Sequence, residues 1–492
     1  MVGFRLSSMQ TSTLTSKRSR FSNWLRARPD EKTVIVFTPR DTLATALPMA
    51  TFWESTYDDG LPTHSTNEQL KTEDACRAVF EEWINPDGSL SRESCASRQR
   101  VNDNEPCACR PIPLLTTCLT CARDRSVSFC RTEHAAYLKA GLGSLAAGYV
   151  SLDASRPWLT YWISHSLELL GPSHALRGDE ADNVVGFLRR CQVPGTGGFA
   201  GGAHPGQIAH LAPTYAAINT LVTIGTPAAL AAIDRASLRV FLRRMKRPDG
   251  SFSMHDDGEC DVRGVYTALA VASLTNLLDD ELRRGAAEWI ASCQTYEGGI
   301  GATPGEEAHG GYTFCGLASM VLLDRVELLR VPPLTRWLVE RQMGVHGGFQ
   351  GRTNKLVDGC YSFWQGGAFP LLEAALTRTA ELPSGGIASL FSTDGLLDYL
   401  FVCCQQSNGG LRDKPGRGCA ARSLDPSNLL ALELGCPLTP AATRLPLCPL
   451  PAAHSLPLTN PKAAPLPTAC RPQPARSHPM LPTACRSHPM LL

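Results

Sequence analysis

Five times between residues 191 and 411 the chain repeats one short pattern: a glutamine or a basic pair, a few polar residues, a glycine turn, then an apolar side chain. Cys191-Gln192 leads to Gly197-Gly198-Phe199, Lys246-Arg247 to Gly250-Ser251-Phe252, and Cys293-Gln294 to Gly298-Gly299-Ile300. Gln342 leads to Gly347-Gly348-Phe349, and Gln405-Gln406 to Gly409-Gly410-Leu411. The first glycines stand at 197, 250, 298, 347 and 409, so the period runs 53, 48, 49 and 62 residues. A period of that length carries one helical hairpin, whose apolar face is buried only when neighbours stack on it. Leu238, Phe241, Leu242 and Met245 give one amphipathic stripe, as an outer helix requires. Thr214 to Ile224 is apolar nearly all round, as a doubly buried inner helix requires. Glycine suits the turns because positive φ and close backbone approach cost little without a Cβ. The expected fold is all-α: stacked hairpins closing into an α/α barrel, with flexible extensions at both ends.

The remaining segments divide as follows. Residues 1–52 read as a basic, Ser/Thr-rich leader with no acidic residue before Asp30. They resemble either a transit peptide or a disordered leader with Met49 as an alternative start, the second reading being preferred. Residues 53–130 give a polar helical lead-in, with Gln69, Leu70, Cys76, Val79 and Phe80 at helical spacing. A loop with Cys107, Cys109, Cys118 and Cys121 follows, read as an insertion with free thiols rather than a small zinc site. The barrel proper spans 131–416, its first helix expected over Leu138 to Val150. Asp153 to Trp158 caps the next, with Pro157 near its first position. Residues 417–492 hold 15 of the 36 prolines and repeat Leu-Pro-Thr-Ala-Cys-Arg at 466–471 and 481–486. That tail reads as low complexity, or as translated intron or shifted frame. A formal charge of +1 leaves no nucleic-acid footprint, and no apolar run is long enough to span a bilayer. The 19 cysteines include none in a disulfide-like framework within the repeats, which suits reduced, cytoplasmic thiols.

The chemistry concentrates in Gly351 to Trp364. Asp358 and Cys360 form an Asp-x-Cys pair, a hard oxygen beside a soft sulfur, the mixed set zinc accepts. Arg352 and Lys355 lie just upstream, read as the N-terminal edge of an apolar-aromatic helix where anions gather. A tyrosine opens each inner helix: Tyr215, Tyr266, Tyr312 and Tyr361, lying 16, 14, 12 and 12 residues beyond the turn's apolar residue. Equivalent positions in a closed barrel face one cavity. His210, Arg263, His309, Arg352 and Lys355 stand nearby. This predicts an aromatic funnel with a cationic rim, fit for a long apolar ligand with an anionic head. Trp158 and Trp162, four apart, share a face, read as core or ligand wall.

These stretches resemble a known family. The carriers are Leu152 to Trp158, His210-Leu211-Ala212-Pro213-Thr214-Tyr215, Asp261-Val262-Arg263, Glu307 to Gly316, Gly348 to Trp364, and Asp413-Lys414-Pro415-Gly416. Together they are similar to the β subunits of the CaaX protein prenyltransferases, most closely the farnesyltransferase branch. The resemblance implies an α6–α6 barrel paired with a separate helical α subunit. It implies transfer of farnesyl from farnesyl diphosphate to the cysteine of a C-terminal CaaX motif, with one Zn2+ and with Mg2+ at the diphosphate. By the same resemblance Asp358 and Cys360 are two of three zinc ligands, and His309, Arg352, Lys355 and Tyr361 bind the diphosphate. Arg263, Tyr266, Tyr312, Cys315 and Trp364 line the isoprenoid wall, and Trp158 and Trp162 form its floor. A bulky Trp158 suits farnesyl; the geranylgeranyl type I enzyme is similar but small there. The family's third ligand, a histidine in a Phe-Tyr-His-Thr-Cys-Tyr run, should fall 12 residues past Leu411, where this chain has Ser423. His454, His478 and His488 follow, but none opens a helix. Three alternatives remain: a geranylgeranyltransferase type I β subunit, a terpene cyclase using the acidic run Asp256 to Asp261, and a truncated, non-catalytic β chain lacking the third zinc ligand.

Overall fold

A computed structural model describes residues 63–83, 129–143, 145, 147–379 and 390–416. The leader, the insertion cysteines, Ser423 and the tail histidines lie outside the described residues.

Helix α1 (His64–Glu81) is the lead-in; it buries Cys76 and Phe80 and leaves Leu70 exposed. Then follow α2 (Arg131–Ala140), a 3-10 stretch (Ala147–Ser155), α3 (Arg156–Leu169), α4 (Gly178–Cys191), α5 (Leu211–Ile224), the short α6 (Pro227–Ala231) and α7 (Arg235–Met245). Next come α8 (Val262–Leu274), the short α9 (Asp280–Arg283), α10 (Ala286–Ser292), α11 (Gly310–Leu323) and α12 (Val331–Val339). The last are α13 (Tyr361–Trp364), α14 (Ala368–Thr379) and α15 (Thr393–Asp398), which runs into a π turn (Tyr399–Cys404). The first barrel helix corrects the sequence expectation. It starts at Arg131 and stops at Ala140, because Gly141 caps it and Gly143 follows, and residues up to Val150 do not continue it.

Inner helices α3, α5, α8, α11 and α14 pack one against the next, and α4, α7, α10, α12 and α15 lie outside them. Leu211 through Leu221 are buried without a break. The polar members of that run are satisfied locally: Asn219 donates to Tyr215 O (2.8 Å) and Thr220 to Ala216 O (2.9 Å). Such internal pairing removes the penalty of burying amides and hydroxyls.

The repeated glutamine is a staple. Gln342 Nε2 donates to Gly347 O and to Ser392 O (2.8 Å each), and its Oε1 accepts the Ser392 N–H (2.7 Å). Ser392 is the N-cap of the next outer helix. Gln192 binds Gly197 and Asp234, and Gln294 binds Gly298 and Arg330, in the same way. Lys246 takes the place once, donating to Gly250 O (2.9 Å). Glycine is needed where turn meets helix: at Gly298, φ is +112° and a Cβ would strike the Pro333 carbonyl. The fifth turn closes the outer ring. Gln405 Oε1 accepts the Cys130 N–H (3.0 Å), and His134 Nδ1 accepts the Gly410 N–H (2.9 Å), across some 275 residues of chain. Outer helix α2 therefore completes the circle that α15 leaves open. No described helix is long and apolar enough to cross a membrane.

Candidate active site

The starts of α5, α8, α11 and α13 share one arrangement. In three the N-cap side chain accepts the backbone N–H two residues on: His210 Nδ1 from Ala212 (3.0 Å), Asp261 Oδ1 from Arg263 (2.8 Å) and His309 Nδ1 from Gly311 (3.1 Å); in the fourth, Asp358 Oδ1 accepts the N–H of the N-cap Cys360 (3.0 Å). This satisfies one of the orphan donors of each helix start. The intervening N–H donates to the neighbouring repeat's loop: Leu211 to Met254 O, Val262 to Ala302 O, Gly310 to Gly351 O and Gly359 to Asp413 O, at 2.7 to 3.0 Å. Those bonds set the four caps at one level, on one end of the ring.

At that rim His309 is 8% exposed, and Tyr361 Oη lies 3.0 Å from its Nε2. Burial pulls the imidazole down to about 4, with Arg352 and Arg263 adding to the effect. It is neutral near pH 7. Because Nδ1 accepts the Gly311 N–H, the ring hydrogen sits on Nε2 and is donated to Tyr361 Oη. The tyrosine's own O–H is then a donor directed away from the imidazole. Arg352 Nη1 pairs with Glu307 Oε2 (2.8 Å), and Lys355 is exposed on the same loop. Arg263 grips Asp261 with Nε and Nη2 (2.6 to 3.1 Å) and lies over the Tyr312 ring. Burial opposes that guanidinium's charge, but the Asp261 carboxylate holds its pKa above the ordinary value. Gly351 must lack a Cβ because the Tyr361 ring fills that place.

The four tyrosines do not form one ring. Counted from the cap, Tyr215 and Tyr266 are fifth, whereas Tyr312 and Tyr361 are third. Two residues along a helix are about 3 Å of depth. Tyr215 and Tyr266 accordingly lie deep, their hydroxyls 3.2 Å apart, while Tyr312 and Tyr361 flank His309 at 5.4 and 5.6 Å between rings. The fifth-from-cap residues of the next two repeats are Phe314 and Phe363, which the tyrosine count missed and a count from the cap finds. Tyr215, Tyr266, Phe314 and Phe363 form a continuous arc, with ring centres 5.5, 5.8 and 4.8 Å apart. Trp158 extends it at one end, 5.8 Å from Tyr215 and 5.7 Å from Trp162, and Trp364 lies 5.5 Å from Phe314. Cys315 is fully buried beside this wall, and burial pushes its thiol up.

A second correction concerns the helix after Cys360. It lasts only from Tyr361 to Trp364, and Gly366-Gly367 separate it from α14. Arg352 and Lys355 thus belong to a loop closed by the Gln350–Val357 bridge, not to a helix edge. Asp358 and Cys360 do stand together, but no group of three His, Cys, Asp or Glu able to hold a metal exists among the described residues. The sequence has no histidine between His346 and His454. A catalytic zinc takes three protein ligands. The described donor set therefore does not fit one.

A toroid of helical hairpins with a cationic, aromatic mouth is a recognisable class. Residues 129–422 match the model of the prenyltransferase alpha-alpha toroid domain, and the chain belongs to that family. A Pisum sativum protein farnesyltransferase subunit beta is 48% identical over 315 residues, covering 53% of this chain and 74% of the relative. The Arabidopsis thaliana counterpart is 55% identical over 243 residues, 49% of each chain, so the match spans about half its length. An Arabidopsis geranylgeranyl transferase type-1 subunit beta is more distant, at 33% over 322 residues (59% and 81%). Within the family, then, this chain stands with the farnesyltransferase β subunits. A solved Candida albicans protein geranylgeranyltransferase-I complexed with GGPP shares the fold, with TM-score 0.53 at 22% identity over 62% of this chain and 91% of that one.

Proposed function

We propose that this chain is the β subunit of a cytoplasmic protein farnesyltransferase, working with a separate α subunit on proteins ending in CaaX. The observation that carries this reading is the chain of hydrogen bonds from Gly311 through His309 to Tyr361, at the mouth of the aromatic arc. In the reaction the substrate cysteine sulfur forms a bond to the first carbon of the farnesyl chain. The bond from that carbon to the diphosphate oxygen breaks, diphosphate leaves with the electron pair, and the thiol proton is lost to solvent. Tyr361 O–H, Arg352 and Lys355 meet the charge that builds on the leaving oxygens, and His309 holds the phenol in place. Preorganised donors of this kind supply stabilisation only where charge develops. The deep arc of Tyr215, Tyr266, Phe314 and Trp364, with Arg263, Tyr312 and Cys315 around it, takes the isoprenoid. Trp158 and Trp162 limit its length, which favours farnesyl over geranylgeranyl. Asp261 is already occupied by Arg263 and Asp256 by Arg244, which disfavours a cyclase role for that acidic run.

Asp358 and Cys360 keep two of the family's zinc positions, with Ser423 where the histidine belongs. We expect the 492-residue chain, co-expressed with an α subunit, to hold substoichiometric zinc and transfer slowly. Restoring Phe-Tyr-His-Thr-Cys-Tyr after Gly416 should recover both. The test is metal per heterodimer by elemental analysis, with rates for farnesyl and geranylgeranyl diphosphate, Mg2+ varied. Equal use of both donors would overturn the farnesyl reading. Full zinc in the unaltered chain would show that a ligand lies in the tail.

A further inference from the structure

The residue before the staple position is Cys191, Met245, Cys293 and Cys404 in four turns, each no more than 1% exposed. In the fourth turn alone it is Arg341, 4% exposed. The barrel therefore buries a neutral sulfur side chain at this place except in the repeat that carries Arg352 and Lys355. Burying a guanidinium is costly unless its hydrogen bonds are used. Arg341 Nη1 donates to Thr353 Oγ1 at 2.7 Å, and Thr353 Oγ1 donates to Glu297 Oε1 of the preceding turn at 3.4 Å. The Arg341 backbone carbonyl accepts the Gln350 N–H (2.9 Å), and the guanidinium lies over the Trp337 ring, 5.2 Å from its centre. Arg341 Nη2 also pairs with Glu340 Oε2 at 3.9 Å.

Thr353 stands between the two rim cations. The loop there is tight: Asn354 is left-handed, at φ 59°, and Gln350 Oε1 accepts the Lys355 N–H (3.2 Å). We propose that Arg341 is a positioning residue for the anion site of Arg352 and Lys355. It pins the loop through Thr353 and sets a buried positive charge beneath it, without touching substrate. This rests on the reading of those two cations as the diphosphate site.

The experiment measures the dissociation constants of inorganic pyrophosphate and of farnesol, the uncharged lipid, on the full chain with its α subunit. The variants are Arg341→Met, Arg341→Lys, Thr353→Ala, the Arg341→Met/Thr353→Ala double, and Lys355→Ala. Methionine is what the second repeat carries here, so Arg341→Met is expected to fold. It should weaken pyrophosphate about tenfold, the size of a lost charge-assisted hydrogen bond, and leave farnesol within about twofold. Arg341→Lys should recover most of the loss. The double variant should be no worse than Arg341→Met, because both residues act along one path. Unchanged pyrophosphate binding in Arg341→Met, with Lys355→Ala weakened, would overturn this inference alone. Additive losses in the double would overturn the Thr353 path, and if Arg341→Met does not fold, Thr353→Ala and Arg341→Lys decide. Pyrophosphate binding that neither Lys355→Ala nor Arg341→Met alters would remove the anion site itself.

Discussion

The two ends of each hairpin are built on different rules. At the outer end the turns repeat both geometry and chemistry: Gln192, Gln294 and Gln342 hold their own glycine turn and the next helix's N-cap with the same three bonds. At the rim the geometry repeats but the chemistry does not. His210, Asp261, His309 and Asp358 each accept the N–H two residues on, yet they are two imidazoles and two carboxylates with different second partners. Constant side chains at constant geometry mark assembly of the ring. Varied side chains at constant geometry mark the place where the ring can hold reactive groups at fixed positions.

That contrast can be tested in order of size. Gly298→Ala should be the most damaging, removing about 4 kcal/mol or more, because both φ and the Pro333 carbonyl exclude a Cβ. Thermal unfolding would check it, and a variant within about 1 kcal/mol of wild type would refute the close approach. Tyr361→Phe should cut turnover roughly 100-fold while leaving stability nearly unchanged, since one donor to developing charge is lost. Tyr215→Phe, at the deep level, should cost about 1 kcal/mol of stability and little turnover. Equal turnover losses in the two variants would erase the distinction between rim and arc. Gln342→Ala should cost about 2 kcal/mol through its three bonds, whereas His210→Ala should cost about 1 kcal/mol as a lost cap. Denaturant midpoints in the reverse order would mean that the rim, not the turns, carries the assembly.

The effect smallest near pH 7 is a pH dependence. Burial and then Lys414 depress His346 to about 3, and its Nδ1 accepts the Gly348 N–H (3.2 Å). The unfolded histidine binds a proton near 6.5, so below that pH the unfolded state takes up more protons. This contribution to stability is full above 6.5 and is lost as pH falls toward 3. His346→Asn can keep the bond to Gly348 without titrating. It should flatten the loss between pH 7 and 4, by up to about 3 kcal/mol. An unaltered slope, read from urea unfolding at several pH values, would place the acid sensitivity elsewhere.

Much of this was legible in the chain before folding. The glycine turns, the outer stripe of Leu238, Phe241, Leu242 and Met245, and the apolar run of α5 are local signals, each encoded within one period. The lead-in helix was legible for the same reason. The first barrel helix was misplaced because its apolar spacing outweighed Gly141 and Gly143. The tyrosines were grouped as equivalent because each opens an inner helix after a turn, whereas from the caps they stand fifth, fifth, third and third. Depth is set by the cap, and the cap is set by a hydrogen bond to the neighbouring repeat.

What the sequence alone determined is therefore the unit: a hairpin of about 50 residues, its buried and exposed faces, and the residue types that could bind an anion or a metal. The tertiary structure decided which units meet and at what height. The His309–Tyr361 pair spans 52 residues, Arg352–Glu307 spans 45, and Gln405 reaches Cys130 across 275. No local propensity encodes such pairings, because each exists only when distant repeats have already stacked, and stacking is driven by apolar burial that is blind to which polar groups it brings together.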